Sequence, residues 1–258
     1  MTIRDVLVIA AAATMAASCS SGGEADAKDP GKGPAVVTDD TARPDKLVQL
    51  KGAEYVKVSG LPDAAAEKRV NQALHGPIDW AVGWAGGTLL PEQRAECKGK
   101  SSIVQTKVRF GLRKQLVSTA NAIQIIPCYE GEGGLPTVTV TVDTKTGKAL
   151  TADDVFAPKT LEKDGLKSLW DKLSGPKDDW KDCELDPLDR KDFFPGKRDG
   201  DPMESPAPAG PLLTPQGLEL IWSTTGTDCN NFTFTAPYDK IKDLLNPTLH
   251  PHLPTSGT

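Results

Sequence analysis

Five cysteines, three histidines and a dense run of acids are the residues of this 258-residue chain with types suited to chemistry. The acidic run "DDWKDCELDPLDRKD", Asp178 to Asp192, offers the carboxylates a calcium ion prefers. Lys177, Lys181, Arg190 and Lys191 interrupt it, and EF-hand spacing is absent, so a solvated charged loop is expected. Asp153 and Asp154 are adjacent carboxylates of the kind glycoside hydrolysis needs, but their place at the start of "TADDVF" suits helix capping better. Ser59 and Ser118 have no evident base: His75 falls in a helical stretch, and His250 and His252 fall in a Pro-rich tail. No G-x-S-x-G, H-E-x-x-H or P-loop pattern occurs. No catalytic residue, metal or cofactor is assigned, and the chain reads as non-enzymatic.

The cysteines divide into one and four. Arg4 precedes an apolar run of about twelve residues, "VLVIAAAATMAA", that stops at Ser18 and Cys19, the order of an export signal and too short to span a membrane. "AASC" resembles the lipobox of bacterial lipoproteins. That resemblance implies a signal peptide over 1–18, acyl chains on Cys19, and anchoring on the outer face of the bacterial cytoplasmic membrane. A soluble secreted protein cut near Cys19 and a cytosolic protein with an apolar N-terminus are the alternatives. From Ser20 to Arg43 the chain is rich in Gly, Pro, Ser and charge, so 19–45 is expected to be a flexible tether with a mean reach of about 25 to 30 Å.

An exported chain meets an oxidising compartment, and Cys97, Cys128, Cys183 and Cys229 are an even number, so two disulfides are expected. Three pairings exist. Ile103 to Leu112 and Leu116 to Ile126 read as two strands joined by a tight turn, which brings Cys97 and Cys128 to the open end of one hairpin. This favours Cys97 with Cys128 and Cys183 with Cys229. A metal site is disfavoured by the absence of C-x-x-C or a Cys/His cluster. The net charge of −5 argues against nucleic acid as a partner.

The elements that must position these groups follow from periodicity. Ala66, Val70, Ala73, Leu74, Ile78 and Ala81 recur at steps of three and four and predict a helix lying on a sheet. Val138, Val140 and Val142 alternate with threonines, a half-buried strand. "LEKDGLKSLWDKL" predicts a second helix, Gly175 to Pro211 reads as irregular, and "GLELIWSTTG" with "NNFTFTAP" reads as an antiparallel pair before a short helix in "YDKIKDLLNP". The class is α+β, an antiparallel sheet with packed helices braced by disulfides, in one domain over 46–248 with a disordered tail over 249–258.

Two segments are specific enough to suggest relatives. "DTKTGKALTADDVF" and "TAPYDKIKDLL", with "YVKVSGLPDAAAEKRVNQAL" and "LLTPQGLELIWSTTG" between and before them, resemble the exported domain of unknown function 3298, found in RsiV-type anti-sigma factors. Mycobacterial secreted immunogenic proteins are similar. The resemblance rests on Thr146, Gly147, Lys148, Asp153, Asp154, Phe156, Gly217, Leu218, Pro237 and Tyr238, whose roles read as structural: Gly147 permits a turn, while Phe156 and Tyr238 pack under the sheet. Relatives often carry G-G-A-H where this chain has Gly133, Gly134, Leu135 and Pro136. In some relatives the domain is a lysozyme receptor.

The combined expectation is a lipid-anchored envelope protein that binds a protein, possibly lysozyme-like, or peptidoglycan. Its contact surfaces are expected in Gly131 to Pro136 and Trp180 to Pro211, with Gly133, Gly134, Leu135, Pro136 and Trp180 as ligand-binding residues. A wall-active hydrolase and a passive subunit of an envelope complex are the alternatives.

Overall fold

The structure is a computed structural model, and it describes residues 33–197, 203–226 and 228–254. In chain order, β1 (Gly33–Asp39) and β2 (Ala42–Arg43) precede β3 (Val48–Ser59), then α1 (Ala64–Gly87) and α2 (Pro91–Glu96). The hairpin β4 (Ser102–Arg113) and β5 (Leu116–Ile126) follows, then β6 (Thr137–Asp143) and β7 (Lys148–Ala149). Short helices α3 (Ala152–Val155), α4 (Lys163–Lys172) and α5 (Lys177–Asp182) come next, then β8 (Ala209–Leu213), β9 (Leu218–Trp222), β10 (Phe232–Ala236) and α6 (Tyr238–Ile241).

Helix α1 forms where its apolar spacing places it. Asp63 caps its start by accepting the Ala65 amide at 2.8 Å, and Ala66, Val70, Leu74, Ile78 and Ala81 are buried against the sheet. That sheet has the order β1-β3-β4-β5-β6-β7, with β2 also on β3. Every pair is antiparallel except β3 with β4, so the sheet is mixed rather than purely antiparallel. The parallel step is possible because α1 and α2 make the crossover between the two strands.

β3 and β4 part after Ala53 and Thr106, and side chains fill the split. The Glu54 carboxylate accepts the Lys107 ammonium and the Val108 amide, while the Asn71 side chain pairs both the N–H and the C=O of Val58, at 2.7 and 2.8 Å. Backbone groups that would otherwise lack partners are thereby satisfied.

A second sheet, β10-β9-β8, lies on the face away from α1, where Ala120 of β5 packs against Leu212 and Ile221. Beyond it the main core gathers Phe156, Leu169, Phe234, Ile241 and Tyr238 from α3, α4, α6 and β10. Asp154 caps the start of α3, with the Thr151 amide and hydroxyl both donating to it at 2.9 Å. Gly147 takes a φ of +72° in the turn before β7. The disulfides are Cys97–Cys128 and Cys183–Cys229, the favoured pairing.

Three expectations are corrected. Residues 33–45, assigned to the tether by their polar composition, instead form β1, β2 and a 3-10 turn; β1 runs in register along β3 from Gly33 opposite Ser59. Val36 and Val37 supply enough strand preference to hold an edge against an already formed sheet. The tail is ordered through Leu253, because Leu249 is buried beside Leu244 and Leu245. The stretch Gly175 to Pro211 holds α5, a 3-10 turn at Arg190–Phe193 and the start of β8. The signal peptide 1–18, Cys19, tether residues 19–32 and tail residues 255–258 lie outside the described residues. Among the described residues no helix is long and apolar enough to cross a membrane.

Candidate ligand-binding cleft

Where β6 begins, three segments meet around a cleft of about 570 Å³. One wall is Pro136, Thr137 and Val138; a second is 191–197 with Ser205, Pro206 and Pro208; a third is Ser223, Thr224 and Thr225; and Trp80 of α1 closes the side. Its volume falls within the usual range for small-ligand sites, roughly 300 to 1,000 Å³. The strand register places it toward the end of the sheet opposite Gly33, since Gly33 pairs with Ser59 while Thr137 pairs with Ala122 on the far stretch of β5.

The walls are fixed by hydrogen bonds rather than by regular structure alone. The Thr137 amide donates to Ser223 Oγ at 2.7 Å, and the Ser223 hydroxyl and the Thr137 hydroxyl both donate to Asn231 Oδ1, at 2.8 and 2.7 Å. The side-chain amide of Asn231 donates to the Leu135 carbonyl at 2.9 Å. Gly196 and Ser205 exchange two backbone hydrogen bonds, which hold the two described parts of the second wall together. The Trp80 indole N–H donates to the Glu204 carbonyl at 3.1 Å, so the ring is held in place at the cleft side.

Chemically the cleft combines aromatic rings, Trp80 and Phe194, with hydroxyl-bearing residues from Thr137 to Thr225 and two cations, Lys191 and Lys197. Asp192 is the one carboxylate among its described lining residues, and it accepts the Asp189 amide at 2.8 Å as the cap of the 3-10 turn. Among the described residues no group of three or more His, Cys, Asp or Glu side chains could hold a metal ion.

The four loop residues anticipated from sequence lie together but not as a loop. Gly134 exchanges two backbone hydrogen bonds with Ile125, and the Pro136 carbonyl accepts the Ile123 amide at 2.8 Å, so 133–136 extends β6 along β5. A Cβ on Gly133 would stand 1.9 Å from the Ile125 carbonyl oxygen, which explains the glycine. Pro136 lines the cleft, whereas Leu135, 40% exposed, borders a second hollow of about 430 Å³ on the open face of β4 and β5.

Trp180 is a correction. It is 4% exposed and packs on Trp170, Trp222 and Phe234 at centroid distances of 5.1, 4.9 and 5.7 Å. Its indole N–H donates to the Leu185 carbonyl at 3.1 Å, so a ligand cannot reach it. The acids near it suggested exposure, yet α5 turns its charges outward and its one aromatic residue in. Sequence reading missed Trp80 and Phe194 as cleft residues; both stand next to core positions, and nothing in their spacing separates them from core.

Asp153, singled out as a possible wall-active carboxylate, accepts Arg190 at 2.8 Å. Asp154 is committed to its cap, and although burial opposes its charged form, the Lys148 ammonium and the Thr151 donors hold its carboxyl below the ordinary range. Ser118 is buried and bonded to Thr141 and to the Leu213 amide. His75 sits edge-on to Tyr55 and 3.0 Å from Asp79 on the flank of α1.

Fold and geometry therefore define a disulfide-braced α+β domain with a cleft where its two sheets meet. It is similar to a member of the DUF3298 family from Bacteroides fragilis, at 15% identity over 78% of this chain and 85% of that one, with a TM-score of 0.45. It is also similar to a DUF3298 family protein from Pseudomonas aeruginosa PAO1, at 16% identity over 88% of this chain and 98% of that one, with a TM-score of 0.47. No family model and no curated protein matches the sequence.

Proposed function

We propose that the chain is an extracytoplasmic lipoprotein, anchored through Cys19, whose domain binds a cell-wall saccharide in the cleft without turning it over. The observation that carries this reading is the lining itself. Indole and phenyl rings offer faces for the C–H surface of a sugar ring, and the hydroxyls of Ser205, Thr224 and Thr225, with Lys191 and Lys197, offer partners for its hydroxyls, those of Thr137 and Ser223 being spent on Asn231. Asp192, the carboxylate among the described lining residues, is engaged as a cap, and Asp153 and Asp154 are engaged as an ion pair and a cap.

The test is calorimetric titration of the oxidised protein with soluble wall glycan fragments, paired with chromatography of the fragments after long incubation. Saturable binding with intact fragments, lost in Trp80→Ala, supports the reading. Shortened fragments whose release stops in Asp153→Asn would establish a hydrolase instead. The mass of Cys19 in the envelope-derived protein tests the anchor separately.

A protein ligand such as a lysozyme-like muramidase is the second reading, favoured by exposed Leu135 and Ile126, which flank the open sheet face. Retention of lysozyme that survives Trp80→Ala but fails in Leu135→Glu would select it.

A further inference from the structure

The largest cavity described, about 990 Å³, lies away from the cleft, where the β4–β5 turn meets the β8–β9 turn and residues 251–254. Its walls include Leu112, Leu116, Tyr238 and Leu253, and Arg113 and Lys114 stand in its lining. The Arg113 guanidinium rests over the Phe110 ring at 4.0 Å. Neither Arg113 nor Lys114 has a carboxylate partner among the described residues, whereas Arg43, Arg69, Arg109 and Arg190 are each paired with one. Asp239, His252 and the Tyr238 phenol are the other charged or titratable groups lining the cavity.

The register adds a second fact. Gly33 pairs with Ser59, β3 and β4 run parallel, and the turn after Arg113 therefore lies at the same end of the sheet as Gly33. Cys19 stands fourteen residues before Gly33, and the tether expected from composition would give that length a mean reach of about 20 Å. Lys57, Lys68 and Lys145 are exposed near the same end, also without carboxylate partners among the described residues. Asp63, Glu67 and Asp143 lie at the same end, bound to Arg69, to the Leu61 amide and to the Lys145 amide, so the cations there outnumber the acids although the chain carries a net charge of −5.

We propose that this end of the domain docks on anionic phospholipid, with a headgroup phosphate held at Arg113 and Lys114 over the mouth of the cavity. The proposal rests on the anchoring reading above, because attachment at Cys19 is what keeps this end near a bilayer. Docking here turns the saccharide cleft, toward the opposite end of the sheet, outward to the wall. Cations near an anionic leaflet are attracted additively and lose that attraction with salt.

In the unlipidated chain starting at Cys19, the other four cysteines are bonded, so Cys19 is the single free thiol and can be coupled to maleimide lipid in vesicles. The anchor is then supplied chemically, and the result does not depend on whether a cell acylates Cys19. Hydrogen exchange of 111–116 is compared on phosphatidylglycerol vesicles and on phosphatidylcholine alone. Protection confined to phosphatidylglycerol, weakened on the order of tenfold or more in Arg113→Glu with Lys114→Glu and reversed by salt, supports the proposal. Equal exchange on both lipids overturns it. Protection of the uncoupled chain by soluble glycerol 3-phosphate also overturns it, in favour of a free-phosphate site. Both substituted residues are exposed, and an unchanged urea midpoint verifies that the variant is folded.

Discussion

The Thr137 amide reaches the Ser223 hydroxyl at 2.7 Å across 86 positions of sequence. Thr137 begins β6 of the first sheet and Ser223 follows β9 of the second, so this bond and the Asn231 side chain that receives both hydroxyls lock the sheets together where the cleft opens. The cleft is held open by a polar joint, and its shape depends on three small side chains.

Replacing Ser223 with alanine leaves the Thr137 amide without its acceptor at a site where Ser223 is 6% exposed. The expected cost is about 1 to 3 kcal/mol, read as a lower urea midpoint with an unchanged slope. Saccharide affinity should fall in the same variant, and a variant of wild-type stability would show that the joint is not a determinant of the fold.

Gly133→Ala should be worse than its small size suggests. The added Cβ meets the Ile125 carbonyl at 1.9 Å, so 133–136 must peel away from β5. A loss of about 1 to 3 kcal/mol is expected, with faster exchange at the Ile125 and Gly134 amides while α1 keeps its protection.

The two disulfides should differ in their response to reductant. They close spans of 31 and 46 residues, worth roughly 4 kcal/mol each by loop-closure entropy. Cys97 is fully buried, whereas Cys229 is exposed. Thiol titration under limiting dithiothreitol, with peptide mapping, should find Cys183–Cys229 opened first.

Stability should fall in acid from about pH 5 downward. Glu54 is held below the ordinary carboxylate value by the Lys107 bond and then by the Val108 amide; Asp39 is lowered against opposing burial by Thr41 and Arg43. A carboxyl with a lowered folded value contributes its stabilisation fully above the unfolded value and loses it as pH falls through the folded one. Thermal midpoints across that range should drop less steeply in Glu54→Gln.

Much of the scaffold was legible because its signals are local. The spacing from Ala66 to Ala81 set α1, and two strands around a short turn set both the hairpin and the disulfide at its open end. Long-range partnership was not legible. Residues 34–39 read as tether because a lone strand of that composition would not hold, and only β3 beside it makes it one. Trp180 read as exposed because its neighbours in sequence are acids, while its neighbours in space are Trp170, Trp222 and Phe234. Trp80 and Phe194 face a cleft assembled from segments more than a hundred residues apart, and no period in the chain marks them.

The grouping of tryptophans has an optical consequence. Trp170, Trp180 and Trp222 lie in chained ring contact at 5.1 and 4.9 Å within the main core, while Trp80 stands beside the cleft, half-exposed, with Trp84 one turn away on the same cluster. Near-ultraviolet circular dichroism will be dominated by the clustered three and will vanish with that core. Quenching of the emission on ligand addition will come from the Trp80 and Trp84 pair, and its loss in Trp80→Phe will assign it to the cleft. One unlabelled protein thus carries separate signals for unfolding and for occupancy.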